Sequence, residues 1–532
     1  MSIRSTKQEF VENLKRGVAK GPKWNTELIL LSFFVLGLGL RLYRLAGYPP
    51  HVDEYRHMEA AVALYRNHTF AWGRAYLTVS LPVYLSYRIF GISLWSSRFP
   101  MVLINMLAIF PLFAISKKID RMAGYISVGL FSLSPWIIEA GKMVRDYAVV
   151  PFFFYVVASL LIELLDWEGE TPKRYLDQHK YRIAVLLLIL GYVVFDHFSI
   201  LKIILALYGI FGMLVIFKIS KQKPSRTIVF SVGIVSTLLI VGIFLSLLIV
   251  ESGGSSYYFE FESLVQNITN RYWKALVANV FQQWYYVPLL GYPILLGAGY
   301  LAFRAIVSPY KKDRFVVLFC FLAFITNLIY LTFVLRNRGT PARVRYGVLM
   351  EYWYVLVVSI ALFAVYQIAN KKLQKLLRIP VYLTMVALLI NIPAIWATMS
   401  YHGGGRSPIA RDFYYLVEPA HDFLATHMTE GDILLADIVY RYDEISGNQL
   451  HPRKAISLSE VERSEIRQII DRYPCGWIAA SLNISLNRYK LPLKDYYIHG
   501  KTIRYYGTLG EINLWRWMPE FQGSASVSRC TS

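Results

Sequence analysis

The run Asp53-Glu54-Tyr55-Arg56-His57-Met58-Glu59 begins just after the first long apolar segment of the chain. Two adjacent carboxylates beside lipid suit proton abstraction or metal binding. A carboxylate base contributes about 10²–10⁴-fold when it sits within hydrogen-bond reach of the proton it takes. The structural alternative is local: acidic residues are favoured at a helix N-terminus, so Asp53 would cap a helix and Glu54 would sit in its first turn. Met58, Ala61, Val62 and Tyr65 follow helical spacing, giving an apolar face that can lie along the membrane. Pro49 and Pro50 hold the approach rigid.

Other chemistry-bearing groups recur at the edges of apolar runs. Arg145-Asp146-Tyr147 falls at the outer end of the third and fourth predicted spans, on the side of Asp53. Such a pair reads as a solvated face or as part of a site. Asp196-His197 lies within a long apolar stretch, with Lys202 following. Ionisable residues there are costly and usually face a cavity; a tight outer turn at that point would make them interfacial. Arg336, Arg338, Arg343 and Arg345 crowd one short loop. Either the topology is shifted there by one span, or the loop holds an anionic ligand, because arginine forks bind phosphate oxygens bidentately. Tyr257, Tyr258, Tyr272 and Trp273 crowd another outer loop. They read as an interfacial aromatic belt or as the lining for a sugar or a prenyl chain.

The elements that must position these groups are membrane helices. Of 532 residues, 55% are hydrophobic and 17% charged, against about 25% charged in a soluble protein. Apolar runs of spanning length recur, and hydropathy gives about eleven of them. They fall at 27–48, 97–117, 122–141, 146–165, 183–199, 201–219, 227–250, 285–306, 314–335, 347–369 and 379–399. The run 75–94 contains Pro82 and polar residues and reads as a surface-lying helix. The net charge of +21 sits mostly in short loops between spans, which suits anchoring at lipid and not nucleic-acid binding. Those basic loops share a side with the basic N-terminus, so that side is cytoplasmic. Three parts result: a cytoplasmic segment 1–26, a membrane part 27–400 and an extracytoplasmic domain 401–532.

In that last part, Asp432–Val439, Trp477–Leu482, Thr502–Gly507 and Ile512–Trp517 read as strands. Glu460–Tyr473 reads as an amphipathic helix with Val461, Ile466, Ile469 and Ile470 on one side. The expected fold class is an all-α polytopic membrane protein with a small outer α/β domain. Cys320, Cys475 and Cys530 are too widely spaced for a disulfide framework, although Cys475 and Cys530 could pair outside. No Walker phosphate loop, His-Glu-x-x-His helix or Cys-x-x-Cys pair is present in the sequence.

Short motifs in order carry a resemblance. Arg41-Leu42-Tyr43-Arg44-Leu45 ends the first span, and Asp53-Glu54 follows. Leu81-Pro82-Val83-Tyr84, Ser97-Arg98-Phe99-Pro100, Ser134-Pro135, Arg145-Asp146-Tyr147 and a late Arg345-Tyr346 come after. Together, over about residues 30–365, they resemble the GT-C type membrane glycosyltransferases. The group is that of the dolichyl-phosphate-mannose protein mannosyltransferases and aminoarabinose transferases (glycosyltransferase family 39 and relatives). Departures are a single proline in the Leu-Pro-Val segment and Asp196-His197 where a lysine is usual near the fifth span. No Trp-Trp-Asp motif of the oligosaccharyltransferases is found.

The resemblance implies the GT-C bundle with helices lying in the first outer loop. It implies transfer of a sugar from a polyprenyl-phosphate donor to a hydroxyl of a lipid, glycan or protein acceptor, on the outer face and with inversion. Asp53 is then the general base, and Glu54 orients the acceptor or binds a metal. Arg345, Tyr346, Arg343, Arg98, Arg145 and Lys202 are the residues for the donor phosphate. Asp146, His197, Tyr55 and Tyr258 line the acceptor side. A divalent cation stays open as a cofactor, since two carboxylates are too few ligands to define a site. The reading from another class is a non-catalytic polyprenyl-lipid transporter or assembly subunit, which would not need Asp53.

Overall fold

A computed structural model describes residues 26–47, 50, 52–70, 75–119, 121–165, 172–196, 207–212, 214, 319–320, 322, 417–436, 438–443, 450, 452, 454–458, 461–481, 491–498, 501–509 and 512–519. The labels below number the elements among these residues. The predicted spans 227–250, 285–306, 347–369 and 379–399 lie outside them, as do most of 201–219 and 314–335.

Helix α1 (Thr26–Leu42) is apolar throughout and leaves Leu28, Leu31 and Val35 exposed, as lipid contact requires. Helices α4 (Leu94–Leu107) and α5 (Ile109–Ile119) form one apolar segment, Leu94–Ile119. It and α8 (Asp146–Leu164) are long and apolar enough to cross a membrane. The predicted span 122–141 is instead two helices, α6 (Arg121–Leu133) and α7 (Pro135–Lys142). Pro135 has no N–H to give and keeps Ser134 extended (ψ 121), so the first helix stops there. Helix α9 (Pro172–Asp196) starts well before the apolar run predicted to span, at a proline suited to a first helical position.

The segment after α1 is helical. Helix α2 (Val52–Asn67) packs on a π-helical turn, Tyr76–Ser80, which continues into α3 (Leu81–Phe90). Helix α3 is too short to span. Val83, Ser86 and Tyr87 are buried on one side, and Leu85, Ile89 and Phe90 are exposed on the other. Phe90 meets Trp95 and Phe99, each with ring centroids 5.4 Å away, in the kind of aromatic cluster that sits at a lipid–water boundary. The run 75–94 thus holds a short helix, preceded by a π turn that periodicity did not reveal.

The C-terminal residues form a six-stranded sheet of order β2-β1-β3-β6-β5-β4. The strands are β1 (Ile433–Ala436), β2 (Lys454–Ser457), β3 (Gly476–Ser481), β4 (Tyr496–Ile498), β5 (Lys501–Leu509) and β6 (Ile512–Pro519). β1 runs parallel to β2 and β3, and the other pairs are antiparallel. Helix α12 (Arg463–Arg472) buries Ile466 and Ile470 against Ile433, Ile478, Trp515 and Trp517 on one face. Helices α10 (Glu418–His427) and α11 (Ile438–Asp443) cover the other, where Leu434, Trp477 and Leu514 join the same apolar cluster as the membrane helices. All four predicted strands are present; β2 and β4, both short, were not predicted, and the end of the first predicted strand is helix α11. Cys475 is disulfide-bonded and Cys320 is buried and free; Cys530, the expected partner of Cys475, lies outside the described residues.

Candidate active site

Glu54 and Arg98 are both fully buried and face one another. Arg98 Nε donates to Glu54 Oε2 at 3.3 Å and Nη2 to Oε1 at 3.2 Å. Its Nη1 donates to the Leu45 carbonyl at 3.0 Å, and the Val144 N–H donates to Glu54 Oε2 at 2.9 Å. One ion pair thus joins α2, α4, the exit from α1 and the entry to α8. A buried charge is tolerated only when paired and hydrogen-bonded, and both conditions are met. Glu54 gives its oxygens to Arg98 and Val144 and so holds helices together. Arg98, expected at the donor phosphate, is buried in the same set of contacts.

Asp53 stands in the first turn of α2, one residue before this pair. Its backbone is therefore fixed by the best-anchored residue of the segment; its side chain is outside the described groups. Tyr55 is fully buried, and its hydroxyl has no hydrogen-bond partner. Burial first, and then the nearby Tyr442 of α11, hold its pKa well above the ordinary tyrosine value. Tyr55 is thus a contact between α2 and α11.

Two contacts escaped the sequence reading. His57, four residues after Asp53 and so on the same helical face, has Nδ1 3.3 Å from Ser80 Oγ. The i, i+4 spacing was the available signal. Asp196 ends α9, yet its carboxylate accepts from the N–H groups of Leu77 (2.5 Å) and Thr78 (2.7 Å). The Ala75 N–H donates to the Asp196 carbonyl at 2.8 Å. A negative charge at the N-terminal amides of the π turn is where a helix favours one. Asp196 therefore staples α9 to the helices that carry Asp53. Of the alternatives for this residue, neither a cavity-facing acid nor a merely interfacial one describes it.

Arg145 and Asp146 pair at 3.6 Å, with Arg145 stacked 5.1 Å from the Tyr147 ring centroid. Asp146 opens α8, two residues beyond the Val144 amide that binds Glu54. The structure so brings Glu54, Arg98 and Arg145-Asp146 to one end of the bundle. Deeper in, Arg41 donates to Asn105 Oδ1 at 3.0 Å and to the carbonyls of Gly37, Ser132 and Phe131. A Cβ at Gly141 would meet Asn105 Oδ1 at 2.7 Å, so only glycine lets α7 approach this arginine. Glu139 and Lys142, both fully buried, pair at 3.5 Å on α7. His197, Lys202, Tyr258, Arg343, Arg345 and Tyr346 lie outside the described residues. Among the described residues no three metal-ligating side chains stand together.

On the outer side of α2, His421 Nε2 lies 3.0 Å from Asp443 Oδ1, and the His421 ring meets Tyr442 edge-on. Burial, with Glu418 and Asp422 adding, pushes the Tyr442 hydroxyl up to about 12. Glu418 is itself raised by burial and by Asp422.

No protein-family model matches the chain, and no curated protein matches it in sequence. Solved structures do match in fold. ArnT from Cupriavidus metallidurans in the apo state superposes with TM-score 0.52 at 11% identity, over 91% of this chain and 97% of that one. The same protein bound to undecaprenyl phosphate gives 0.51 at 12%, over 93% and 98%. The oligosaccharyltransferase AglB from Archaeoglobus fulgidus, in complex with an inhibitory peptide and a dolichol-phosphate, gives 0.51 at 12%, over 92% and 74%. The fold is that of the GT-C membrane glycosyltransferases.

Proposed function

We propose that the chain is an integral membrane glycosyltransferase that moves a sugar from a polyprenyl-phosphate donor to an acceptor hydroxyl on the extracytoplasmic face. The observation that carries this reading is the match, over nearly the whole of both chains, to a protein solved with undecaprenyl phosphate. The second support is local: the Asp53 backbone is anchored at the end of the bundle by the Glu54–Arg98 pair. The disulfide at Cys475 supports an oxidising, outer location for the sheet.

In this reading Asp53 takes the acceptor's hydroxyl proton as the oxygen attacks the anomeric carbon. The bond from that carbon to the phosphate oxygen breaks, and the polyprenyl phosphate leaves with the electron pair. Phosphate is a good leaving group and needs positive charge in place of a general acid. Arg345, Arg343, Arg145 and Lys202 are proposed to supply it and Tyr346 to donate a hydrogen bond to the phosphate, with Asp146, His197 and Tyr258 on the acceptor side. Attack opposite the phosphate inverts the centre. Asp53-Glu54 does not fit a metal site, because the Glu54 oxygens are engaged by Arg98 and Val144; no step is routed through a metal. The test is transfer from a polyprenyl-phosphate sugar by the purified chain and by Asp53→Asn. Loss of at least 10²-fold is expected. Turnover near wild type in the variant would remove Asp53 from the role, and lipid movement without transfer would favour the transporter reading.

A further inference from the structure

One surface of the C-terminal sheet sets two arginines directly against each other. Arg504 of β5 pairs in register with Arg516 of β6, which pairs in turn with Trp477 of β3. All three therefore lie in one row on one face. Like charges directly opposite in an antiparallel pair are destabilising, with Cβ atoms about 4.5–5.5 Å apart. The surroundings hold the pair in place instead of separating it. The Arg516 guanidinium lies 5.1 Å from the Trp477 ring centroid, and the Arg504 guanidinium 5.5 Å from that of Tyr506. Tyr506 is the extra residue of a bulge between Tyr505 and Gly507, which places its ring beside the row.

The one carboxylate bonded to this row is Asp432 in the described residues, fully buried, with Oδ2 3.6 Å from Arg516 Nη2. Oδ2 also accepts from the Thr429 N–H at 2.9 Å and from Trp477 Nε1 at 3.2 Å. Arg516 Nε is buried with no hydrogen-bond partner. Two guanidiniums against one carboxylate leave one positive charge; Arg516 Nε lacks an acceptor, and Asp432 Oδ1 beside it lacks a donor. Stacking on aromatic rings leaves guanidinium edges to meet oxygens, the geometry suited to phosphate. Trp477 belongs to the apolar cluster that the sheet shares with the membrane helices, so the row is on the sheet face turned toward the bundle.

The geometry points to a phosphate-binding site at Arg504 and Arg516, on the bundle-facing side of the C-terminal sheet. Its ligand is a phosphate group, carried by a lipid headgroup or free in solution. The inference does not depend on the glycosyltransferase reading.

The test uses the purified full chain in a neutral detergent, titrated calorimetrically with three probes. These are inorganic phosphate, dioctanoyl phosphatidylglycerol and dioctanoyl phosphatidylcholine. Binding of phosphatidylglycerol, weakened at least tenfold in Arg504→Glu, supports a headgroup site. Binding of inorganic phosphate with the same loss supports a soluble source. Arg504 is exposed, so that variant should unfold as wild type does. Arg516→Lys keeps the charge beside Asp432 but loses the fork, and should also weaken binding. Absence of binding by both phosphate and phosphatidylglycerol overturns the site. So does equal affinity of wild type and Arg504→Glu; binding of phosphatidylcholine with the same loss in that variant supports the headgroup source.

Discussion

Replacing Arg98 by methionine removes the counter-charge of Glu54 without opening a large void. In the native chain Glu54 is fully buried and accepts from Arg98 Nε, Arg98 Nη2 and the Val144 N–H. Arg98→Met takes away two of these three and also strips the Leu45 carbonyl of its donor. Breaking one side of a buried pair costs about 3–5 kcal/mol, because the remaining charge is left in low dielectric. Glu54→Gln alone should cost a similar amount by stranding the guanidinium. The double variant strands neither, so it should lose clearly less than the sum of the singles. Reversible unfolding in mixed micelles gives the three values. A loss below about 1 kcal/mol for Arg98→Met, the scale of an exposed pair, would refute the reasoning; so would additive singles. Sugar transfer measured alongside separates the roles of neighbours. Both single variants should lose activity together with stability, whereas Asp53→Asn should lose activity alone.

Other expectations follow from particular groups. Arg345→Ala should weaken polyprenyl-phosphate binding by about 2–5 kcal/mol, with poor rescue by Arg345→Lys and a milder loss in Arg338→Ala; equal small losses in all three would place the phosphate elsewhere. Glu418 binds its proton more tightly folded than its ordinary value of 4.5, owing to burial and Asp422. Its charged form therefore opposes folding as pH rises above that value. Glu418→Gln should raise the unfolding midpoint at about pH 7 and change it little near about pH 4; a neutral-pH loss counts against the assignment. Ser225→Cys and Glu430→Cys should be labelled from opposite faces of the membrane, and labelling from one face rejects the outer placement of the sheet. Gly141→Ala should destabilise by overpacking against Asn105, by about 1–3 kcal/mol.

Periodicity was enough for elements that bury a single face. The helix at 463–472 and the strands β3 and β6 carry their apolar pattern openly, and so does the amphipathic α3. It failed where a distant residue decides. The division at Ser134-Pro135 lay in a run of uniform hydropathy, and the proline was the only mark of it. Glu54 looked reactive because adjacent carboxylates are scarce beside lipid. Its buried partner, Arg98, stands 44 residues away, and no local pattern could join them. Arg98 was noticed for its motif alone, because sequence shows charge but not burial. Asp196 was recognised as costly, but its ligands are backbone amides, which carry no sequence signature.

The staple at Asp196 also orders events during synthesis. The amides it caps precede it by 119 and 118 residues. At about 5–20 residues per second, translation needs roughly 6–24 s to cover that distance. Through that interval the π turn has no carboxylate at its N-terminus, and α2 packs on an unfinished support. The segment bearing Asp53 so lacks this support until α9 has been made. A chain arrested before that point would be inserted without being assembled, a distinction that protease sensitivity of the Tyr76–Ser80 turn in stalled chains would register.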